Sequence, residues 1–186
     1  MKASSKRLTT PLFTIFFKSV LIISLFFSTL LLFMMLALFF GAPLVPSKPE
    51  VARKMVELLK IKPGMTIYDL GSGDGRVLIE LAKRNVFARG IEINPYAVAF
   101  SFVRCFIAGV RKQVQVRWGN YWWTNLAQAN GVIVYGLPQI MPRLAQKFKA
   151  ELRPKTRIVS NSFQIPGLHL LKEAQVGKTK IYLYQV

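Results

Sequence analysis

The chain has 186 residues, with 26 Lys and Arg against 8 Asp and Glu, a formal charge of +18. A single cysteine, Cys105, excludes an intrachain disulfide and a thiolate cluster, and the single histidine, His169, excludes histidine-based metal centres and most histidine-dependent triads. Every acid lies after position 41, so the surface is strongly basic and suits nucleic acid or anionic lipid, which composition does not separate.

Residues 1–18 form a basic N-terminal segment carrying Lys2, Lys6, Arg7 and Lys18. Residues 19–40 then run for 22 positions without a charge. At about 1.5 Å per helical residue they reach roughly 33 Å, which matches a hydrocarbon core of about 30 Å. One transmembrane helix over 19–40 is therefore expected. A cleaved signal or transit peptide is the competing reading, but its apolar core would be shorter. The exit Phe39-Phe40-Gly41-Ala42-Pro43 also lacks small residues at both cleavage positions. Lys48, Arg53, Lys54 and Lys60 balance the basic residues on the other side, so flanking charge sets no topology, and a monotopic insertion stays open.

A Pro-rich linker, 41–50, contains Pro43, Pro46 and Pro49, and a single folded domain is expected over 51–186. Pro49-Glu50 opens a helix with apolar Val51, Met55, Val56, Leu58 and Leu59. A strand over 65–70, a helix over 76–83 and a strand over 86–93 follow. The next helix, 96–108, is apolar on nearly every face, with Arg104 its one charge. Burial between the sheet and neighbouring helices explains that pattern, and so does contact with a bilayer surface. Strands over 114–118 and 131–135, a helix over 141–152, and strands over 157–160, 168–173 and 180–185 complete the chain. Strands alternating with helices imply an α/β fold whose sheet is mainly parallel and covered on both faces.

The first strand runs into Asp69-Leu70-Gly71-Ser72-Gly73-Asp74-Gly75-Arg76, and a helix starts at once. A glycine turn between a strand and a helix lets backbone N–H groups and a helix N-terminus approach an anionic or nucleoside ligand. The spacing is G-x-G-x-G, whereas a dinucleotide site needs G-x-G-x-x-G, and no Gly-Lys-Ser/Thr closes a P-loop. The form with an acid two residues before the first glycine suits S-adenosylmethionine, held by Asp69, Gly71, Ser72, Gly73, Asp74 and Gly75. Asp74 is read as a contact to the donor's amino group or as a helix cap. Glu92, 21 residues after Gly71 and followed by Ile93, ends the second strand, where an acid meets both ribose hydroxyls. Asn120 follows the third strand, placed to read the adenine amino group with Tyr121 or Trp122 beside the ring. Trp122 and Trp123 are read as a substrate wall, membrane-interface anchors or core residues.

With these elements in order, the chain resembles class I S-adenosylmethionine-dependent methyltransferases. More narrowly it resembles the membrane-anchored family of ATP synthase c-subunit and adenine nucleotide translocase lysine methyltransferases. The resemblance is carried by Pro43-Leu44-Val45-Pro46, the string from Tyr68 to Arg76, Gly90-Ile91-Glu92-Ile93-Asn94-Pro95, Tyr135-Gly136-Leu137-Pro138-Gln139 and the region 158–166. It implies a Rossmann-like fold with a seven-stranded, mainly parallel sheet, S-adenosylmethionine as cofactor, and no metal. It further implies a protein substrate in or near a membrane, while the basic surface with the apolar N-terminal run points to an anionic lipid surface as a second partner. Because the methyl donor is found inside cells or in the mitochondrial matrix, the domain is expected to face the cytoplasm or matrix from a bacterial or mitochondrial inner membrane. The loop holding Tyr135, Pro138 and Gln139 is expected beside the transferable methyl. It lacks the Asp/Asn-Pro-Pro-aromatic pattern, which counts against nucleic-acid base methylation. An amine-bearing lipid, another small molecule, or a non-catalytic donor-binding assembly role remain the alternatives.

Overall fold

A computed structural model describes residues 11–39 and 47–186. The central strands of its sheet are buried on both faces while the edge strands are largely exposed, and the two-residue period of the strand decides which layer each side chain joins. Seven strands, β1 (Thr66–Leu70), β2 (Phe87–Glu92), β3 (Val114–Trp118), β4 (Gly131–Val134), β5 (Arg157–Asn161), β6 (His169–Val176) and β7 (Thr179–Gln185), pair in the order β3-β2-β1-β4-β5-β7-β6. The first five are parallel, and β7 runs antiparallel to both β5 and β6. Order reverses between β1 and β4, which opens a crevice at their carboxyl ends.

Ile67, Ile133, Val159 and Leu183 point to one face, where helices α2 (Pro49–Leu58) and α3 (Arg76–Ala82) deliver Met55, Leu78 and Leu81. Leu70, Val132, Val134, Ile158 and Tyr184 point to the other, onto Leu144 and Phe148 of α5 (Met141–Glu151). Helices lie on both faces, as the alternation implies, but unevenly. Residues 119–130 link β3 to β4 through a 3-10 turn at Tyr121–Trp123, with Leu126 and Ala129 buried in place of a helix.

The N-terminal helix α1 (Pro11–Phe39) starts earlier than the charge-free run and takes in Lys18. Its span Thr14–Met35 has a mean hydropathy of 2.3, long and apolar enough to cross a membrane. Residues 1–10, Phe40 and 41–46, with the Pro43-Leu44-Val45-Pro46 string and most of the expected linker, lie outside the described residues. Pro49 and Glu50, assigned above to the linker, already belong to α2, because proline fits the first helical position.

Helix α4 (Pro95–Ile107) corrects one of the two readings of its sequence. Only Ser101 and Cys105 are buried, while Phe100, Phe102, Val103, Phe106 and Ile107 are exposed. The sheet ends at β3, so nothing among the described residues covers the outer side of α4, and burial between sheet and helices does not hold.

Phe148 is fully buried and anchors the one long helix on its face of the sheet. Phe148→Ala is expected to cost about 3–5 kcal/mol in denaturant unfolding of the full chain in detergent, whereas Phe87→Ala, on an exposed ring, should stay within about 0.5 kcal/mol.

Candidate functional site

The crevice is shaped by the turn between β1 and α3. Gly71, Gly73 and Gly75 have φ of 80°, 52° and 77°, the left-handed region that side chains disfavour. At Gly75 a Cβ would also fall 2.1 Å from Ser101 Oγ, so the turn packs directly on α4. A Cβ on Gly90 would meet Leu78 Cδ1 and Ser72 Oγ, both at 2.6 Å. Close approach of the turn to β2 therefore requires a glycine there as well. The turn is tied to β2 by Gly71 N–H and Ser72 N–H, which donate to Ile91 O at 2.9 and 3.2 Å.

Glu92, at the end of β2, holds the turn from behind and is not itself among the residues lining the cleft. It is only 2% exposed. Its Oε2 accepts from Gly73 N–H at 2.9 Å and its Oε1 from Asn94 N–H at 2.8 Å. Burial pushes this carboxyl up, and the backbone N–H groups pull it part of the way back. Asn94 in turn caps α4, accepting from Tyr96 N–H at 2.9 Å. One carboxylate thus fixes the glycine turn relative to the start of α4.

Asp69, at the end of β1, lines the cleft and is buried. Burial, then the charges of Glu92 and Asp74, push it up to about 8. No hydrogen bond reaches its carboxylate from the described residues, and Ser72 Oγ is likewise buried without a partner. Asp74 differs. It accepts from Arg76 Nε at 3.0 Å and Nη2 at 2.7 Å, and it pairs with Arg104 of α4. Burial raises Asp74, but the Arg76 hydrogen bonds and charge, with Arg104, outweigh it and hold the carboxyl below its ordinary value. Arg76 Nη1 also donates to Ser47 O, and Asn161 Nδ2 donates to Ser47 Oγ at 3.0 Å. Ser47 is thereby strapped across from β5 to α3.

The cleft opens to solvent and is lined by Asp69, Gly71, Ser72, Gly73 and Asp74 of the turn, with Tyr135 after β4. Tyr135 also stacks on Phe163, centroids 6.3 Å apart. Pro138 and Gln139 form an exposed 3-10 turn (Pro138–Ile140) and do not line the cleft. Ile93 is half-buried and gives its carbonyl to Trp118 Nε1. Asn120 uses Oδ1 to accept from Trp122 N–H at 2.9 Å, capping the 3-10 turn. Tyr121 is buried in the core, its hydroxyl pushed up by burial and by Glu92. Trp122 is half-buried under Arg143, whereas Trp123 is exposed.

Sequence reasoning missed Ser47, Met55, Phe100 and Ile133 as lining residues, and Arg104 as the partner of Asp74. For Arg104 a signal existed: a lone charge on an otherwise apolar helix needs a counter-ion nearby. Apolar lining residues carry no such mark.

A family model described as the ANTKMT methyltransferase domain matches residues 69–172. Among curated relatives, the ATP synthase c-subunit lysine N-methyltransferase of Mus musculus is 35% identical over 124 residues, covering 67% of this chain and 50% of that protein. The protein-lysine N-methyltransferase of Saccharolobus islandicus is 35% identical over 151 residues, covering 77% of this chain and 93% of that protein. The chain spans about half the length of the vertebrate relatives it matches. A solved RNA methyltransferase from Salinibacter ruber, in complex with S-adenosyl-L-homocysteine, superposes with a TM-score of 0.73 at 29% identity over 76% of this chain and 94% of that one. By a domain match covering more than half of its length, with the sheet order and glycine turn in place, the chain belongs to the ANTKMT methyltransferase domain family and has the class I methyltransferase fold.

Proposed function

We propose that the chain is a membrane-anchored protein-lysine N-methyltransferase that uses S-adenosylmethionine and acts on a lysine of a membrane protein near the bilayer. The observation that carries the donor assignment is the pair of buried acids at the ends of β1 and β2, Asp69 lining the cleft and Glu92 holding the glycine turn. A carboxylate has about four acceptor sites, so Glu92 can hold backbone N–H groups and still accept from a ribose hydroxyl. Asp69, unpaired and facing the cleft, suits the donor's ammonium. The lysine assignment is supported by relatives named for lysine of the ATP synthase c-subunit, of adenine nucleotide translocase, and of proteins generally.

S-adenosylmethionine brings an activated methyl on a sulfonium, so the protein's part is orientation and exclusion of water. A lysine amine must arrive neutral, which costs about 4–5 kcal/mol at pH 7 from a reference pKa of about 10.4. Burial and a nearby cation both lower that cost, so no strong base is required. Tyr135, at the cleft wall after β4, is the group that orients the amine, with the backbone of Gly136 and Leu137 beside it. Pro138 and Gln139, exposed just beyond, meet the protein substrate rather than the reacting atoms. Helix α1, long and apolar enough to span a membrane, supports reading it as the anchor, and a donor found inside cells favours a domain facing the cytoplasm or matrix from a bacterial or mitochondrial inner membrane.

The Salinibacter ruber likeness favours RNA as a second acceptor class. Incubation of the full chain with membranes, RNA and radiolabelled donor separates them: label in protein is expected, and label confined to RNA or lipid overturns the lysine reading.

Glu92→Gln places an amide N–H₂ against one of two backbone donors, so calorimetry should show donor affinity falling at least about ten-fold. Tyr135→Phe should keep donor affinity within about two-fold while the rate of lysine methylation falls roughly ten-fold. If Tyr135→Phe methylates normally, another group orients the amine.

Asp69 also sets a pH dependence. The folded chain, at about 8, holds this proton more tightly than the unfolded chain, near 3.8. Its contribution to stability is therefore full below the lower value and is lost as pH rises to the upper one. Urea unfolding of the unliganded chain should show wild type losing stability across that window relative to Asp69→Asn. A flat difference between the two proteins would show that Asp69 is ionised throughout.

A further inference from the structure

The outer face of α4 is an apolar surface that the fold leaves uncovered. Ser101 and Cys105 face inward, four residues apart, while Phe100, Phe102, Phe106 and Ile107 are 56%, 48%, 63% and 78% exposed. Contiguous exposed aromatic and aliphatic side chains of this kind mark an interaction surface.

Three observations identify what covers it. First, the border is largely basic: Arg111 lies over the Phe102 ring at 4.9 Å, Lys112 beside it is exposed, and Glu80, which lines a groove with Arg104 and Ile107, is already paired with Lys83. An apolar face with a cationic border is the signature of an interfacial helix on anionic lipid. Second, α4 is joined to α1. Tyr96 in its first turn packs edge-on against Phe26 and Phe33, at 5.2 and 6.3 Å, and both rings lie inside the apolar span Thr14–Met35. A helix whose first turn touches the lipid-spanning part of an anchor is not held away from the bilayer. Third, Trp118, exposed beside the start of α4 with its Nε1 on Ile93 O, has the amphipathic ring that settles at headgroup level. A second copy of the chain fits less well, since a two-fold contact would bring two sets of Arg111 and Lys112 together.

We infer that the outer face of α4 is a second, interfacial membrane contact with anionic lipid, laid beside α1 so that the methyl-transfer cleft opens at the bilayer surface. Phe100 makes the connection, being exposed on this face and also lining the cleft. The inference rests on the proposed anchoring by α1, and its test reports the two separately.

The unmodified full chain is reconstituted into phosphatidylcholine–phosphatidylglycerol vesicles and into pure phosphatidylcholine vesicles. Each carries a lipid-dissolved diazirine that is photoactivated, and adducts are mapped by peptide mass spectrometry. Adducts are expected on 14–35 in both vesicles, and on 99–107 roughly five-fold more in the anionic ones, with 169–185 unlabelled. Labelling of 14–35 with 99–107 protected in both vesicles overturns the α4 contact and leaves the anchor intact. Labelling of 99–107 alone supports the α4 contact and overturns the anchor, and labelling of neither overturns both. Equal labelling of 99–107 in the two vesicles overturns the assignment to anionic lipid. Protection of 99–107 together with crosslinks between copies assigns the face to a dimer.

Discussion

The cleft depends on one carboxylate. Glu92 sits at the end of β2, buried, with one oxygen on the glycine turn and the other on the turn that opens α4. Without it two backbone N–H groups would lose their acceptor, and the turn after β1 would be left to the Gly71 and Ser72 bonds to Ile91 O and the Asp74–Arg104 pair. Burial of a charge opposes this arrangement, and the N–H groups offset only part of that penalty. A short side chain such as Asp at the same position would not reach both turns from the strand end.

The neighbouring acids divide the remaining work by their partners. Asp74 is held ionised by Arg76 and Arg104, so its charge is already used in joining α3, α4 and Ser47. Asp69 has no such partner, and burial, with the charges of Glu92 and Asp74, pushes it up to about 8. One acid is structural and the other is available to a cationic ligand, although they are five residues apart on the same turn. The low stability of an ionised Asp69 in the empty cleft is what a cation entering it would relieve.

Much of this was legible because it is local. Strand periodicity, the G-x-G-x-G spacing and the acid at the end of β2 each occupy a few consecutive residues, and the parallel sheet follows from their alternation. The Asp74–Arg104 pair spans 30 residues and depends on how α4 packs, so the spacing could not supply it. Asn120 was found at the right strand end, yet sequence does not distinguish an oxygen that caps a 3-10 turn from one that faces a ligand. Tyr121 shows the same limit, since an aromatic beside a cleft and an aromatic in the core have identical local patterns. Helix α4 is the sharpest case. A helix apolar on all sides reads as buried, and only the sheet order reveals that β3 is the last strand on that side.

The position of α4 gives the asymmetry of the fold a consequence. On the α5 face, residues 119–130 lie flat where another helix would fit, and on the opposite face α4 is left as an uncovered outer layer. Covering it with another helix of the same chain would stabilise the isolated domain by hiding its aromatic rings. That cover would also separate the Phe100 side of the cleft from whatever lies outside, and it would displace α1 from Tyr96. An uncovered helix costs solubility in water but not at a lipid surface, where the same rings leave the aqueous phase. The exposed face of α4 is thus a liability only for a domain free in solution, and its persistence beside an apolar α1 is coherent with a domain that works against a membrane.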